Sequence, residues 1–401
     1  MKIKTICIAG KNNIAINIAR YIRGSLPQYE IIAVCNATDE GKNNFQRSFK
    51  AFCQSENIRM VQLNEVYDHQ DLLFLSLEFD KIIKPYKFKT NNLFNIHFSL
   101  LPAYKGMYTS ALPILNNEKY SGATLHKIDS GIDTGDIIAQ RKFEIGADTS
   151  GQELYLMYIE HGTQLIIDNL QHLLDGTFIN TRQPSTNASY YSKNSLDYSN
   201  LKIDFNKTAQ EIHNQIRAYS FPAYQLPVVN NISVYKSEIM SDKSMYKAGT
   251  ILNQDDFTLI MASVDYYIKL YKDRREDLLQ AAANGKSEVI EHFIDNNYPL
   301  FQKNKLGWDS LIVAAYNGQY ELAKLLIEKY GGDINTNNNN LTTLVMYAMT
   351  YASKTDDLQL LNYLLQKRQI NLSAKDAFNK DIYYYAKKYN NKNVLKVLGC
   401  Q

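Results

Sequence analysis

The sequence predicts a chain in three parts: an α/β domain on a parallel sheet, a small β-rich subdomain, and a C-terminal α-helical module of stacked pairs. Three observations carry this. Short apolar runs alternate with helical patterns over the first hundred residues, the rhythm of strand–helix–strand units. A polar, tyrosine-rich stretch with strand-like pieces lies past the middle. Beyond it, a helix-pair pattern recurs at a step of 33 residues. At 401 residues the chain is too long for one ordinary domain. The expected boundaries are 1–183, 184–272 and 273–401.

In the first part, "TICIAG" (Thr5–Gly10), "EIIAVCNA" (Glu30–Ala37), "DLLFLSL" (Asp71–Leu77) and "LFNIHFS" (Leu93–Ser99) read as strands buried on both faces. Between the first two, Ile14, Ile18 and Ile22 mark one face of a helix. "SGQELYLMYIEHGTQLIIDNLQHLLDG" (Ser150–Gly176) is a long amphipathic helix with a serine start and a glycine stop. In the second part "TAQEIHNQIRAY" is a helix among the strand-like runs "ISVYKSEI", "FTLIMAS" and "YYIKLYK". In the third, aligning Asn284-Gly285 with Asn317-Gly318 sets the 33-residue period, and Ala315 to Ala348 repeats it. Ala386 comes five residues late, which an insertion at "YASKTDD" absorbs. One helix pair cannot bury its own apolar face, so three or four must stack, and the polar last helix suits a cap.

Bulk composition excludes several classes. With a net charge of +3 and no long basic run, a nucleic-acid partner is not expected. No run approaches the roughly 18 apolar residues of a membrane span, and the apolar core of "MKIKTICIAGKNN" is too short for a secretory leader. Cys7, Cys35, Cys53 and Cys400 have no metal or redox spacing, and two lie in strand-like runs, as buried thiols in a reducing cytosol do. The expectation is a cytoplasmic protein with no metal and no membrane partner. "IAGKNNIA" sits where a dinucleotide fingerprint would, but lacks G-x-G-x-x-G.

Chemistry concentrates in two stretches. In "NLFNIHFSLLPAYKG" (Asn92–Gly106), Asn95 and His97 are two apart on a strand and point to the same side. They fall at the carboxyl end of a strand, where α/β sheets bind ligands. The second stretch, "GATLHKIDSGIDTGDIIAQ" (Gly122–Gln140), adds His126 and Asp133, with Gly131 and Gly135 allowing a tight backbone path. Taken singly, a histidine at a strand end is usually a satisfied polar residue, and an aspartate in a glycine-rich loop a turn residue. No H-E-x-x-H, cysteine pair or nucleophile elbow supports a metal site or a serine triad.

Together, "N-x-H-x-S-x-L-P" followed some thirty residues later by "H-x-I-D-x-G-x-D-T-G-D" resembles the folate-dependent formyltransferase family, over roughly residues 1–180. "LKIDFNKTAQEIHNQIRAYSFPAY" extends the likeness to its tRNA and sugar branches. The resemblance implies a Rossmann-like catalytic domain, Asn95, His97 and Asp133 as catalytic residues, and 10-formyltetrahydrofolate as formyl donor. The residue types suit that chemistry. An amine attacking a formyl carbon passes through an oxyanion that an amide N–H holds. The amine sheds a proton that imidazole is suited to take, and a carboxylate orients the imidazole. By the same resemblance, Leu77, Glu78 and Phe79 in "SLEFDKII" face the folate.

The 33-residue repeats have the length of ankyrin repeats, and a C-terminal ankyrin module resembles the three-part dTDP-3-amino-3,6-dideoxyhexose N-formyltransferases of bacterial O-antigen pathways. This implies a nucleotide-linked amino sugar as acceptor, dTDP-3-amino-3,6-dideoxy-glucose first, and a homodimer. Methionyl-tRNA or a UDP-linked aminopentose as acceptor, or a non-catalytic ankyrin interaction protein, are the alternatives. Thymine needs a flat partner and a pyrophosphate needs cations. Phe221 and Tyr224 in "SFPAYQLP" and Lys105 in "PAYKG" are the substrate-side candidates. Trp308, in "KLGWDSL" where Gly-x-Thr-Pro-Leu is usual, marks a candidate second ligand site on the repeats.

Overall fold

The structure, a computed structural model, describes residues 2–199 and 201–400. It divides into two units: Met1–Lys42 with Arg47–Asp273, and Asn43–Gln46 with Arg274–Gln401.

The first unit opens with β1 (Thr5–Gly10), α1 (Asn12–Ser25), β2 (Glu30–Cys35), α2 (Phe49–Ser55), β3 (Arg59–Met60), β4 (Leu72–Leu77) and β5 (Leu93–His97). After them come β6 (Lys105–Gly106), α3 (Leu112–Leu115), β7 (Tyr120–Lys127), β8 (Ile137–Glu144) and α4 (Gly151–Asp175). Seven strands form one sheet in the order β3-β2-β1-β4-β5-β7-β8. The first five run parallel, but β7 is antiparallel to β5, and β8 to β7. The four strands read from the first hundred residues are parallel, as expected, and the two later strands β7 and β8, whose direction the sequence left open, make the sheet mixed. A loop of nine residues joins β7 to β8, too short for the crossover that parallel neighbours require.

Ile14, Ile18 and Ile22 are fully buried, fixing α1 against one face of the sheet with α4 beside it. In α4, Ser150 and Glu153 form a reciprocal capping box and Gly176 closes the helix in the left-handed region, as the sequence signals indicate. Leu75, Leu77, Phe94, Ile96 and Phe98 line this helix-covered face. Phe74 and Leu93 belong to a second core that includes Phe79 and Ile128. Because Asn95 and His97 alternate with the first set, they face away from α1 and α4, with His97 the last residue of β5.

The small subdomain holds β9 (Tyr190–Tyr191), α5 (Ala209–Tyr219), β10 (Val228–Val229), β11 (Ile232–Lys243), β12 (Ile251–Gln254), β13 (Thr258–Ala262) and β14 (Tyr266–Lys272). The last five form an antiparallel sheet ordered β10-β11-β14-β13-β12, and Ile212 and Ile216 of α5 pack on it. β9 instead pairs in parallel with β6, so the chain returns to the loop that follows β5.

The second unit has four helix pairs: α6 (Arg275–Ala283) with α7 (Ser287–Asp295), α8 (Ser310–Tyr316) with α9 (Tyr320–Glu328), α10 (Leu344–Thr355) with α11 (Gln359–Leu365), and α12 (Ile382–Tyr389) with α13 (Lys392–Val397). The late fourth repeat has a simple cause: α10 is five residues longer than α8 and takes up the insertion. Asp309 caps α8 through the Ile312 N–H and accepts from the Thr336 hydroxyl at 2.8 Å, tying one repeat to the next. Among the described residues no helix is long and apolar enough to cross a membrane.

Candidate active site

Pairing of β5 with β7 sets Asn95 directly opposite His126, two side chains on one face. Asn95 Nδ2 lies 3.0 Å from His126 Nε2. The His126 Nδ1 sits 2.7 Å from the Lys127 carbonyl, which only accepts, so Nδ1 carries the proton and Nε2 accepts from Asn95. The same logic assigns His97: its Nε2 donates to the Tyr104 carbonyl at 2.8 Å, leaving Nδ1 as the titrating nitrogen.

Asp133 joins these groups. It sits on the β7–β8 loop in the left-handed region, φ +55°. Its Oδ2 accepts from the Gly106 N–H at 2.9 Å and lies 3.4 Å from His97 Nδ1. Its Oδ1 is 3.4 Å from Asn95 Nδ2 and 3.5 Å from His126 Nε2. One carboxylate thus touches all three partner side chains. Two glycines make the approach possible. A Cβ on Gly135 would stand 1.9 Å from the Lys127 carbonyl oxygen. On Gly106, at φ +88°, it would stand 2.2 Å from that of Tyr191.

Burial holds His97, 8% exposed, below the ordinary histidine value, against Asp133 and the Tyr104 carbonyl, which favour its charged form. For Asp133, burial alone raises the pKa, but His97, His126 and the Gly106 N–H together bring it down to about 2. The site at neutral pH is therefore a neutral imidazole beside a carboxylate that accepts but does not donate. Among the described residues no group of three or more His, Cys, Asp or Glu is placed to hold a metal.

Of the residues singled out in the sequence, Asn95, His97, His126 and Asp133 come together here. Lys105 immediately precedes Gly106 and pairs with Tyr190. Leu77, Glu78 and Phe79 lie at the end of β4, one strand over, where Leu77 pairs with Ile96. Two backbone carbonyls there are already taken, Leu77 by the Lys11 N–H at 3.2 Å and Glu78 by Asn36 Nδ2 at 2.9 Å. The Glu78 carboxylate accepts from the Tyr155 hydroxyl at 2.9 Å and from Asn12 Nδ2 at 3.2 Å, and burial raises its pKa. Phe221 is buried, stacks on the half-exposed Tyr224 with centroids 5.1 Å apart, and lies 5.8 Å from Tyr155. This aromatic pair belongs to the Glu78 flank. Trp308, half-buried, packs edge-on against Tyr316 and Tyr347 with centroids 5.1 and 5.2 Å away.

Three contributors escape sequence reasoning: the Tyr104 carbonyl, the Gly106 N–H and Gln183. Backbone groups carry no residue-type signal, although both lie in the "PAYKG" run. Gln183 Nε2 donates to the carbonyls of Asp133 and Gly135, both at 2.8 Å, from fifty residues downstream.

The chain has known relatives. Residues 58–170 match the formyl transferase family, 195–279 the formyl transferase C-terminal domain, and 278–376 three copies of the ankyrin repeat. The structure is similar to WlaRD, a sugar 3N-formyl transferase determined in the presence of dTDP and 5-N-formyl-THF. The two are 41% identical, with a TM-score of 0.64 over 68% of this chain and 99% of that one. It is also similar to an N-formyltransferase of Helicobacter canadensis in complex with folinic acid and dTDP-3-aminofucose, at 39% identity and TM-score 0.63, covering 68% of this chain and all of the other. A methionyl-tRNA formyltransferase of Clostridium beijerinckii is 34% identical over 161 residues, 40% of this chain and 51% of that protein. The chain thus spans about half the length of this curated relative. The fold and site define a formyltransferase. The chain belongs to the sugar N-formyltransferases of that family and carries ankyrin repeats.

Proposed function

We propose that the protein transfers the formyl group of 10-formyltetrahydrofolate to the amine of a dTDP-linked 3-amino-3,6-dideoxyhexose, with dTDP-3-amino-3,6-dideoxy-glucose as leading acceptor, in the cytoplasmic assembly of an O-antigen sugar. The observation that carries it is the convergence of Asn95, His97 and Asp133 at the end of β5. The 41% identity to a sugar 3N-formyl transferase over nearly all of that chain supports a sugar amine as acceptor. Free thiols at Cys7, Cys35, Cys53 and Cys400 suit a reducing cytoplasm.

A bond forms between the acceptor nitrogen and the formyl carbon, leaving negative charge on the formyl oxygen. Asn95 Nδ2 holds that oxygen with the N–H whose contact to Asp133, at 3.4 Å, is at the weak end of hydrogen bonding. His97 Nδ1 takes the proton the amine sheds. The imidazolium is held from both ends, by Tyr104 at Nε2 and Asp133 at Nδ1. As the bond from carbon to the folate nitrogen breaks, His97 returns the proton to that nitrogen.

Within the same reading, the backbone of Leu77, Glu78 and Phe79 faces the folate. Lys105 approaches the pyrophosphate, and Phe221 and Tyr224 supply aromatic surface to the acceptor. Edge strand β12, exposed along its length with Ile251 and Leu252, supports pairing of two copies through the small subdomain. The half-exposed Trp308–Tyr316 pair supports a second nucleotide-sugar site on the repeats. A fluorescence titration with dTDP that leaves Trp308 unchanged removes that site.

The test is mass spectrometry of a panel incubated with 10-formyltetrahydrofolate: dTDP-3-amino sugars, a dTDP-4-amino sugar, a UDP-aminopentose and methionyl-tRNA. A one-formyl gain on the 3-amino sugars alone is expected. Formylation of methionyl-tRNA in preference, or of nothing, overturns the reading.

A further inference from the structure

The catalytic carboxylate rides on an exposed loop, which raises the question of what keeps it in place. Gly131, Ile132 and Thr134 are all exposed around it. The Asp129 carboxylate ties the outer limb to itself, accepting from the Gly131 N–H at 3.0 Å and the Thr134 hydroxyl at 2.6 Å. That bond set braces the turn internally but does not fix it to the sheet. The inner limb is fixed from outside by two side chains of the returning segment: Asn180, whose Nδ2 donates to the Asp136 carboxylate, and Gln183, which alone of the two holds the backbone of Asp133.

Gln183 lies beyond α4, on a strand-like segment that meets the hairpin where Thr181 and Ile137 exchange two backbone hydrogen bonds of 2.8 Å. From there its amide reaches the carbonyls of Asp133 and Gly135, on either side of Thr134, at 2.8 Å each. Both partners are acceptors, so the atom facing them is the nitrogen, and both of its protons are used. The other end of the amide, Oε1, is buried and has no hydrogen-bond partner in the structure. The two carbonyls that Gln183 grips belong to the catalytic aspartate and to the residue two further on.

We propose that Gln183 is a positioning residue for the formyl transfer reaction, acting through Asp133 by clamping the backbone on which its carboxylate faces His97. This rests on the function proposed above. Gln183 touches neither reacting atoms nor His97 in this arrangement, so its loss shows as a displaced carboxylate and not as a lost substrate contact. Displacement by about an ångström in such a site costs on the order of a hundredfold in rate.

The experiment uses the full chain, with Gln183→Leu removing both donors and the unpartnered oxygen at similar volume, and Gln183→Met as the second variant where the first does not fold. The expected result is a fall in kcat of about a hundredfold, with KM for each substrate within about threefold. The acid limb of the pH profile moves to lower pH, because His97 loses the field of Asp133. In an Asp133→Asn background the same substitution has little further effect, since residues acting through one another are not additive. An NMR titration of the His97 imidazole, assigned with His97→Gln, reports the same downward movement without any substrate. Equal losses in both backgrounds, an unmoved His97 titration, or a change confined to KM for the nucleotide sugar overturns the proposal. If the wild-type chain formylates no acceptor but Gln183→Leu still moves the His97 titration down, the clamp stands and the assigned reaction falls instead.

Discussion

Replacing Asp133 by Asn is the sharpest perturbation of this site, because its effect on His97 has a definite sign. His97 sits below the usual histidine value through burial, and Asp133 Oδ2, 3.4 Å from Nδ1, works against that burial. A unit charge pair at this distance is worth about 5 kcal/mol at an effective dielectric of about 20, an upper figure. Carboxylates this close generally move a partner by about 1–3 pH units, or about 1.4–4 kcal/mol. Asparagine keeps the shape and can still accept from the Gly106 N–H, but leaves burial opposed by the Tyr104 carbonyl alone. The His97 pKa then drops further, and the base form persists to lower pH. In a pH series of formyl transfer under kcat/KM conditions, the acid limb of Asp133→Asn therefore moves down by about 1–3 pH units. The plateau falls by about 10²–10⁴, the range of a compromised acid–base pair. A lowered plateau whose limb stays put or moves up would refute the assignment of His97 as the proton acceptor held by Asp133.

Three further outcomes follow from the same geometry. Asn95→Ala removes the proposed oxyanion donor and lowers kcat by about 10²–10³ with KM little changed, read by the mass-spectrometric assay. Because Asp133 is held at about 2 against an ordinary value near 3.8, its contribution is fully present above pH about 4 and lost as pH falls toward 2. Wild type therefore loses about 2 kcal/mol more stability across that window than Asp133→Asn, measured by denaturant unfolding. Gly106→Ala, at φ +88° and against the Tyr191 carbonyl, lowers stability by about 1–3 kcal/mol in the same measurement and weakens the N–H contact to Asp133.

What was legible in the sequence follows from how far each interaction reaches along the chain. Strands β1, β2, β4 and β5 announce themselves because both faces are buried, and α4 because its capping box and its glycine stop are local. The 33-residue step announces the repeats, since each must present the same face to its neighbour. The antiparallel turn of β7 and β8 leaves no such mark: "GATLHKI" and "DIIAQRKFE" alternate the same way whichever direction they run. Asn95, His97 and Asp133 could be picked out by type and motif, but their grouping around one carboxylate depends on backbone groups and on pairing across strands. Gly106 reaches Asp133 through an N–H that any residue but proline owns, so its identity is dictated by φ and by Tyr191, not by the bond it makes. Gln183 is the extreme case. Nothing in "TRQPST" separates a clamp from a solvated linker, and the distinction arises only when Thr181 pairs with Ile137 and swings the amide onto the loop. The groups proposed to react are thus constrained by chemistry and stand out as residue types, whereas the groups that aim them are constrained by position and can be of almost any type. Substitutions that spare the trio but alter the return of the chain past β8 should disable this site as surely as changes to the trio itself.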